Sequence, residues 1–186
     1  MKYLLKVIEL ITTRHLNDLA FYVQITEFVK FTKSFEDENG VKYSTIIITG
    51  HSLGGGLAMI SGAQSKVPAV ALSGPNAVLS RLTFTPAISK EQLDKYTFNI
   101  VPDRDIIPRV DDLAQNYQRI QCRSHLSEFL SCHSSDRSLC EVLLQCGSKG
   151  RPIPCDCVNK YEDIYKDNLN KSASNNGETL EQECPN

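Results

Sequence analysis

The fold of this chain is decided by residues 46–56, which read Ile46-Ile47-Ile48-Thr49-Gly50-His51-Ser52-Leu53-Gly54-Gly55-Gly56. Residues 46–49 have strand propensity, and the pattern that follows is helical as far as about Gln64, so the stretch predicts a strand, a sharp turn and a helix. We call residues 50–54 the elbow. Gly50 and Gly54 are expected to leave no side chain where the strand and helix backbones meet, so that Ser52 is held strained with its hydroxyl exposed.

The elbow has the residue types of a nucleophilic site. Ser52 is the candidate nucleophile, and the backbone amide of Leu53, at the start of the helix, is expected to stabilise an oxyanion. His51 is predicted to point away from Ser52 and to act as a supporting residue. The alternative interpretation is a glycine-rich turn with no chemistry, which the flanking strand, helix and further glycines disfavour.

Composition limits the class of protein. With 186 residues, of which 41% are hydrophobic, the chain can bury one substantial core, and the net charge of −2 gives no electrostatic reason to expect nucleic acid as a partner. No uninterrupted apolar run is long enough to span a membrane. Residues 1–11 are apolar but carry Lys6 and Glu9, so they fit an amphipathic helix better than a signal peptide.

The cysteines are concentrated in the last third of the chain. Such a cluster favours disulfides and an oxidising compartment, either outside the cell or in the endomembrane lumen. Since the count is odd, at least one thiol is unpaired, and we expect this to be Cys184; Cys155 and Cys157 are too close in sequence to bond each other. A zinc site built from Cys122, His125, Cys155 and Cys157 is a weaker alternative, because paired C-x2-C spacings are missing. The seven positions are Cys122, Cys132, Cys140, Cys146, Cys155, Cys157 and Cys184.

Further segments alternate in the manner of an α/β protein. In residues 1–35 the apolar side chains have mostly helical spacing. We predict strands at residues 67–72 and 96–101, and a short helix and loop at residues 79–93. Strands separated by helical segments favour a mostly parallel sheet with crossover helices. In such sheets active residues follow the carboxyl ends of the strands, which puts Ser52 and the loop at residues 102–105 at the same edge.

A serine nucleophile needs a base, and the base needs an acid partner. Asp105 is the favoured acid, because residues 106–108 next to it (Ile-Ile-Pro) are expected to form an apolar wall. Asp103 is the competitor, and either residue could instead cap a turn.

Four histidines are candidates for the base. His125 and His133 both follow Asp105, which gives the chain order Ser, Asp, His of sheet hydrolases. His133 is preferred because Cys132 and Cys140 could hold its loop in place through disulfides, and His125 is the alternative. His15 precedes the elbow on a helical segment.

The elbow, Ser73-Gly74-Pro75 and the Asp105-Ile106-Ile107-Pro108-Arg109 segment together resemble the fungal-type class 3 lipases of the α/β-hydrolase fold. The stretch from Cys132 to Cys157 is similar to a cysteine-rich branch of that family found in protists. The likeness covers roughly residues 44–158. It implies that Ser52 is the nucleophile, that Asp105 is the triad acid, and that the substrates are acylglycerols or related lipid esters. A serine mechanism of this kind is expected to need no metal and no organic cofactor.

The resemblance also sets expectations for domain organisation. The family's strand with a Gly-Thr loop, which supplies a second oxyanion donor, is not recognisable before Thr45, so we expect an N-terminally truncated, partial α/β-hydrolase fold. Residues 1–158 are predicted to form the domain, with a cysteine-rich segment at 122–157, and residues 159–186 a polar, disordered tail.

Two functions follow. The first is serine-dependent hydrolysis of lipid esters, with peripheral contact to a membrane or lipid interface. The alternative is a catalytically impaired fragment, or a lipid-binding or interaction protein that keeps the fold without the chemistry.

Overall fold

The computed structural model describes residues 20–123, 130–147 and 154–161. The predicted helix at residues 1–11, His15, His125, Cys184 and the tail from residue 162 lie outside these ranges. Two short 3-10 helices, Ile107–Arg109 and Ser131–His133, accompany the main elements. In chain order, those elements are α1 (Phe21–Ser34), β1 (Ile48–His51), α2 (Leu53–Ser65), β2 (Ala69–Leu72), α3 (Lys90–Tyr96), β3 (Thr97–Pro102), β4 (Tyr117–Ile120), α4 (Ser135–Cys146) and α5 (Cys155–Lys160).

The four strands form one sheet in the order β1-β2-β3-β4. β1 and β2 are parallel, as are β2 and β3, and Gly50 lies opposite Ala71, which lies opposite Asn99. Along β4, the Asn99 N–H donates to the Asn116 carbonyl and the Asp103 N–H to the Ile120 carbonyl, so the paired positions advance in the same direction. The predicted α/β class with a parallel sheet is confirmed.

Several predicted boundaries need correction. The strands expected at 67–72 and 96–101 are Ala69–Leu72 and Thr97–Pro102. β1 begins at Ile48 and not at Ile46. The Ile48 N–H donates to the Pro68 carbonyl at 2.9 Å. Pro68 has no N–H with which to extend the ladder further upstream. The helix expected within residues 79–93 starts at Lys90, where Ser89 and Gln92 form a capping box, and it continues to Tyr96.

α2 is buried on nearly all sides, since nine of its 13 residues are buried, most of them small. Ala71 and Gly74 approach α2 so closely that a Cβ on Gly55 would lie 3.1 Å from the Ala71 Cβ. α1 packs against α2, where Thr26 Oγ1 donates to Gln64 Oε1 at 2.9 Å. The main apolar cluster beside α2 comprises Ile60, Ala63, Ala77, Ile88, Leu93 and Ala114.

The chain divides into two compact units. The first comprises Met1–Ile100 and Ile107–Tyr117, and the second Val101–Ile106 and Gln118–Asn186. In the second unit a smaller cluster of Cys140, Cys157 and Tyr161 packs with two leucines of α4. No helix among the described residues is both long and apolar enough to cross a membrane. The domain boundary expected after residue 158 stays a prediction.

Candidate active site

The elbow holds Ser52 in a conformation that serine rarely adopts. Its φ is 56° and its ψ is −128°. The Ser52 N–H donates to the Leu72 carbonyl at 3.0 Å, and the Ser52 carbonyl accepts from Gly55 at 2.9 Å and Gly56 at 3.1 Å. The sheet therefore fixes one side of this residue and the helix the other, which is how tertiary structure maintains a costly backbone conformation.

The two elbow glycines have different environments. A Cβ on Gly50 would lie 2.3 Å from the Gly54 carbonyl oxygen, so no larger residue fits there without backbone movement. A Cβ on Gly54 would meet no heavy atom of the described structure within 4 Å. The expected steric need for glycine is confirmed at Gly50 and is wrong at Gly54, because it is the main chain of Gly54, and not its Cβ direction, that approaches the strand.

Leu53 is the first residue of α2. Its N–H has no acceptor within the helix, because the first N–H groups of a helix precede the hydrogen-bonded turns. No backbone carbonyl of the described residues accepts from it. Leu53 is 65% exposed. The amide thus has the properties of an anion donor at a helix N-terminus.

Asp105 lies in a tight turn that follows β3. Its N–H donates to the Pro102 carbonyl at 3.2 Å, and Arg104 inside the turn has a φ of 66°. The Arg104 guanidinium donates to the Cys122 carbonyl. Of the residues expected to form an apolar wall next to Asp105, Pro108 is buried and Ile106 is 46% exposed, and the wall itself stays a prediction.

The structure brings Asp105 and His133 together. His133 Nδ1 lies 2.9 Å from Asp105 Oδ2, and the Asp105 side chain is 0% exposed whereas that of His133 is 20% exposed. A buried carboxylate needs such a partner, because burial without one is costly. The competitor Asp103 is half-buried, and its N–H belongs to the ladder with β4. His51 is the last residue of β1.

Disulfides hold the segment that carries His133. Cys122, just beyond β4, is bonded to Cys132, which precedes His133 in the short 3-10 helix. Cys140 in α4 is bonded to Cys157 in α5. The prediction that disulfides pin this loop is confirmed, as is the prediction that Cys157 does not bond Cys155.

An ion pair with a buried carboxylate connects α4 to the segment after β4. Glu141 is 1% exposed, and its carboxylate accepts from the Arg123 N–H at 2.8 Å and from the Arg123 guanidinium at 2.6 Å. Gln145, one turn further along α4, accepts from the Gln121 N–H at 3.1 Å. The burial of Glu141 has no signal in the sequence, because a single glutamate in an amphipathic helix resembles any solvated residue.

The cysteine chemistry excludes the zinc alternative. Cys122, Cys155 and Cys157 are disulfide-bonded, so their sulfurs are not thiolate ligands. Within the described ranges no group of three or more His, Cys, Asp or Glu residues could hold a metal ion. The free cysteine of the described chain is the exposed Cys146, which sequence reasoning did not single out; Cys184 lies outside the described residues.

Asn99 is a further polar residue near the elbow that was not predicted from the sequence. Asn99 is buried within β3 and bonds to the loop after β2. Its signal in the sequence is the alternation of Thr97 and Asn99 with Phe98 and Ile100, which puts polar residues on one face of a strand otherwise rich in apolar ones.

A serine with positive φ between a parallel strand and a buried helix is typical of α/β hydrolases. The model of one family, described as lipase (class 3), matches residues 23–114, a segment that contains the elbow and Asp105 and ends before His133. Through this segment the chain belongs to the class 3 lipase family, which indicates lipid-ester hydrolysis by a serine. Among curated proteins, none matches the chain.

Proposed function

We propose that this chain is a carboxylic ester hydrolase acting on acylglycerols or related lipid esters, with Ser52 as nucleophile, His133 as base and Asp105 as the acid that orients the base. The observation that carries the proposal is the 2.9 Å hydrogen bond between His133 Nδ1 and the buried Asp105 carboxylate. An Asp–His pair on a disulfide-held segment serves base catalysis, because the imidazole is kept in one tautomer and one orientation.

The steps follow from these roles. Ser52 Oγ attacks the ester carbonyl carbon, and His133 Nε2 takes the hydroxyl proton while Nδ1–H stays bonded to Asp105. The Leu53 N–H donates a hydrogen bond to the oxyanion that forms. His133 then protonates the departing alkoxide, and a water molecule, deprotonated by the same nitrogen, hydrolyses the acyl-enzyme and releases Ser52 and a fatty acid.

Replacement of Ser52 tests the proposal directly. We expect Ser52→Ala to reduce hydrolysis of a short-chain ester by at least about 10³-fold and to abolish labelling by a fluorophosphonate, because both require an activated serine. Ser34→Ala is the matched control: the Ser34 hydroxyl is exposed on α1 and donates to the Phe31 carbonyl of the same helix, so its loss should leave turnover unchanged. Unchanged turnover in Ser52→Ala would sink the proposal.

The fluorophosphonate also separates the two functions raised by the sequence. A lipid-binding protein without chemistry would leave the probe unreacted and still sediment with lipid vesicles. Peripheral contact with a lipid interface is part of the proposal, because an acylglycerol substrate resides there; absence of co-sedimentation would remove that part alone.

A further inference from the structure

The side chain of Asn99 holds both main-chain groups of one residue in the loop after β2. Asn99 Nδ2 donates to the Gly74 carbonyl at 2.8 Å, and Asn99 Oδ1 accepts from the Gly74 N–H at 3.3 Å. Asn99 is 2% exposed. Its amide acts toward Gly74 as a neighbouring strand would, and so extends the β2–β3 pairing beyond the last residue of β2.

Gly74 in turn lies against the first turn of α2. A Cβ on Gly74 would lie 2.9 Å from the Gly55 carbonyl carbon and 3.0 Å from the Gly56 nitrogen. Gly55 and Gly56 are the two residues whose N–H groups donate to the Ser52 carbonyl. The main chain of Gly74, which Asn99 fixes, therefore packs directly against the N-terminal turn of α2.

A second arm of the same network reaches the turn that follows Asp105 in sequence. Asn99 Nδ2 also donates to Asn76 Oδ1 at 3.1 Å, and Asn76 Nδ2 donates to the carbonyl of Pro108. Asn76 and Pro108 are buried, and all of these groups belong to the first unit. Two side-chain amides thus connect the loop after β2 to the 3-10 helix that begins at Ile107.

Such a network specifies one arrangement because its alternatives leave buried polar groups unpaired. An apolar residue at position 99 would suit a buried strand without that constraint.

We infer that Asn99 is a positioning residue for the reaction, an inference that rests on the proposed function. It holds Gly74 against α2, which sets the direction of Ser52 and of the Leu53 amide. Through Asn76 it also holds the turn after the Asp105 loop.

Asn99→Asp tests this with little change of size. The substitution keeps the acceptor for the Gly74 N–H, removes the Nδ2 donor and puts a carboxylate oxygen against the Gly74 carbonyl. We expect kcat for a short-chain ester to fall about tenfold to a hundredfold with KM within about threefold, because misdirected catalytic groups slow the chemical step more than binding. Asn116→Asp is the matched control: Asn116 Nδ2 also donates to a backbone carbonyl of the first unit, that of Asp94, at an exposed site. Its kcat should stay within about twofold.

A second measurement does not need activity. Amide hydrogen exchange at Gly55 and Gly56 should be faster in Asn99→Asp than in Asn116→Asp, measured well below both melting temperatures. If Asn99→Asp fails to fold, Asn76→Ala should show a smaller kcat loss of the same kind, because it removes the Asn99–Asn76 and Asn76–Pro108 hydrogen bonds and keeps both bonds from Asn99 to Gly74.

Wild-type kcat in Asn99→Asp or in a folded Asn76→Ala, an equal loss in Asn116→Asp, or unchanged exchange at Gly55 and Gly56 would each overturn the inference. An inactive wild-type protein would instead overturn the proposed function and, with it, a role of Asn99 in the reaction; the exchange comparison would then decide only whether Asn99 orders the first turn of α2.

Discussion

Gly50 and Gly54 flank the same serine, yet only one of them meets a steric limit. The space at Gly50 is closed by the backbone of Gly54 and Gly55, which no side-chain rotation can relieve. Gly54 is an ordinary position of a helix, where glycine carries an entropic cost. At the scale of single residues, the motif therefore contains one glycine that the fold requires and one that it tolerates.

We predict opposite outcomes for alanine at these positions. Gly50→Ala should destabilise the protein by about 2 kcal/mol or more and lower ester hydrolysis, because the elbow must open to admit the methyl group. Gly54→Ala should leave stability unchanged or raise it by up to about 1 kcal/mol. Thermal unfolding of both variants provides the measurement.

The two variants serve as controls for each other, since both add one methyl group within the same turn. A Gly54→Ala variant as unstable as Gly50→Ala would show that the elbow is tighter at its helical end than the distances indicate.

At the scale of elements, the 3-10 helix Ser131–His133 is too short to hold its own orientation. Two links fix it. Cys132, within the 3-10 helix, is bonded to Cys122, and α4, which follows the 3-10 helix, is held by the Glu141–Arg123 ion pair. The buried Asp105 carboxylate then finds His133 at hydrogen-bonding distance. The disulfide and the ion pair thus hold in place a 3-10 helix that is too short to be stable by itself.

Removal of one disulfide at a time tests this arrangement. The Cys122–Cys132 and Cys140–Cys157 bonds close loops of similar size, with sequence separations of 10 and 17. Replacing both cysteines of either bond with serine should therefore cost about 3 kcal/mol of stability. We expect loss of the first bond to lower kcat several-fold more than loss of the second, because Cys132 adjoins His133. Steady-state kinetics below the melting temperatures provide the comparison, and equal kcat losses would contradict it.

At the scale of the molecule, the two units are stabilised by different means. All seven cysteines belong to the second unit and none to the first. The first unit relies on close packing of small residues of α2 against β1, β2 and α1. The second has short helices and a small apolar cluster that includes the Cys140–Cys157 bond. Small cores of this kind depend on disulfides.

We therefore predict a selective response to reduction. A thiol reductant should increase amide hydrogen exchange throughout α4 and α5 while α2 and β2 keep their protection. Ester hydrolysis should fall with the loss of order around His133. The measurement is exchange followed by mass spectrometry, with and without reductant. Equal loss of protection in α2 would show that the disulfides stabilise the first unit as well.

The sequence by itself determined the elements around the elbow and their parallel order. Hydrophobic period, glycine placement and the strand-turn-helix pattern are local properties, so they identified Ser52, the class of fold and the position of Asp105 after a strand. Boundaries shifted by a few residues because Pro68 and the Ser89 cap act through their neighbours.

Only the tertiary structure decided which groups meet. It paired Asp105 with His133, joined Cys122 to Cys132 and Cys140 to Cys157, showed that Gly50 is sterically required and Gly54 is not, and brought Asn99 to Gly74. The physical reason is common to all of these contacts. Each depends on the distance between atoms that the chain brings together only when it folds, and no local pattern of residue types encodes that distance.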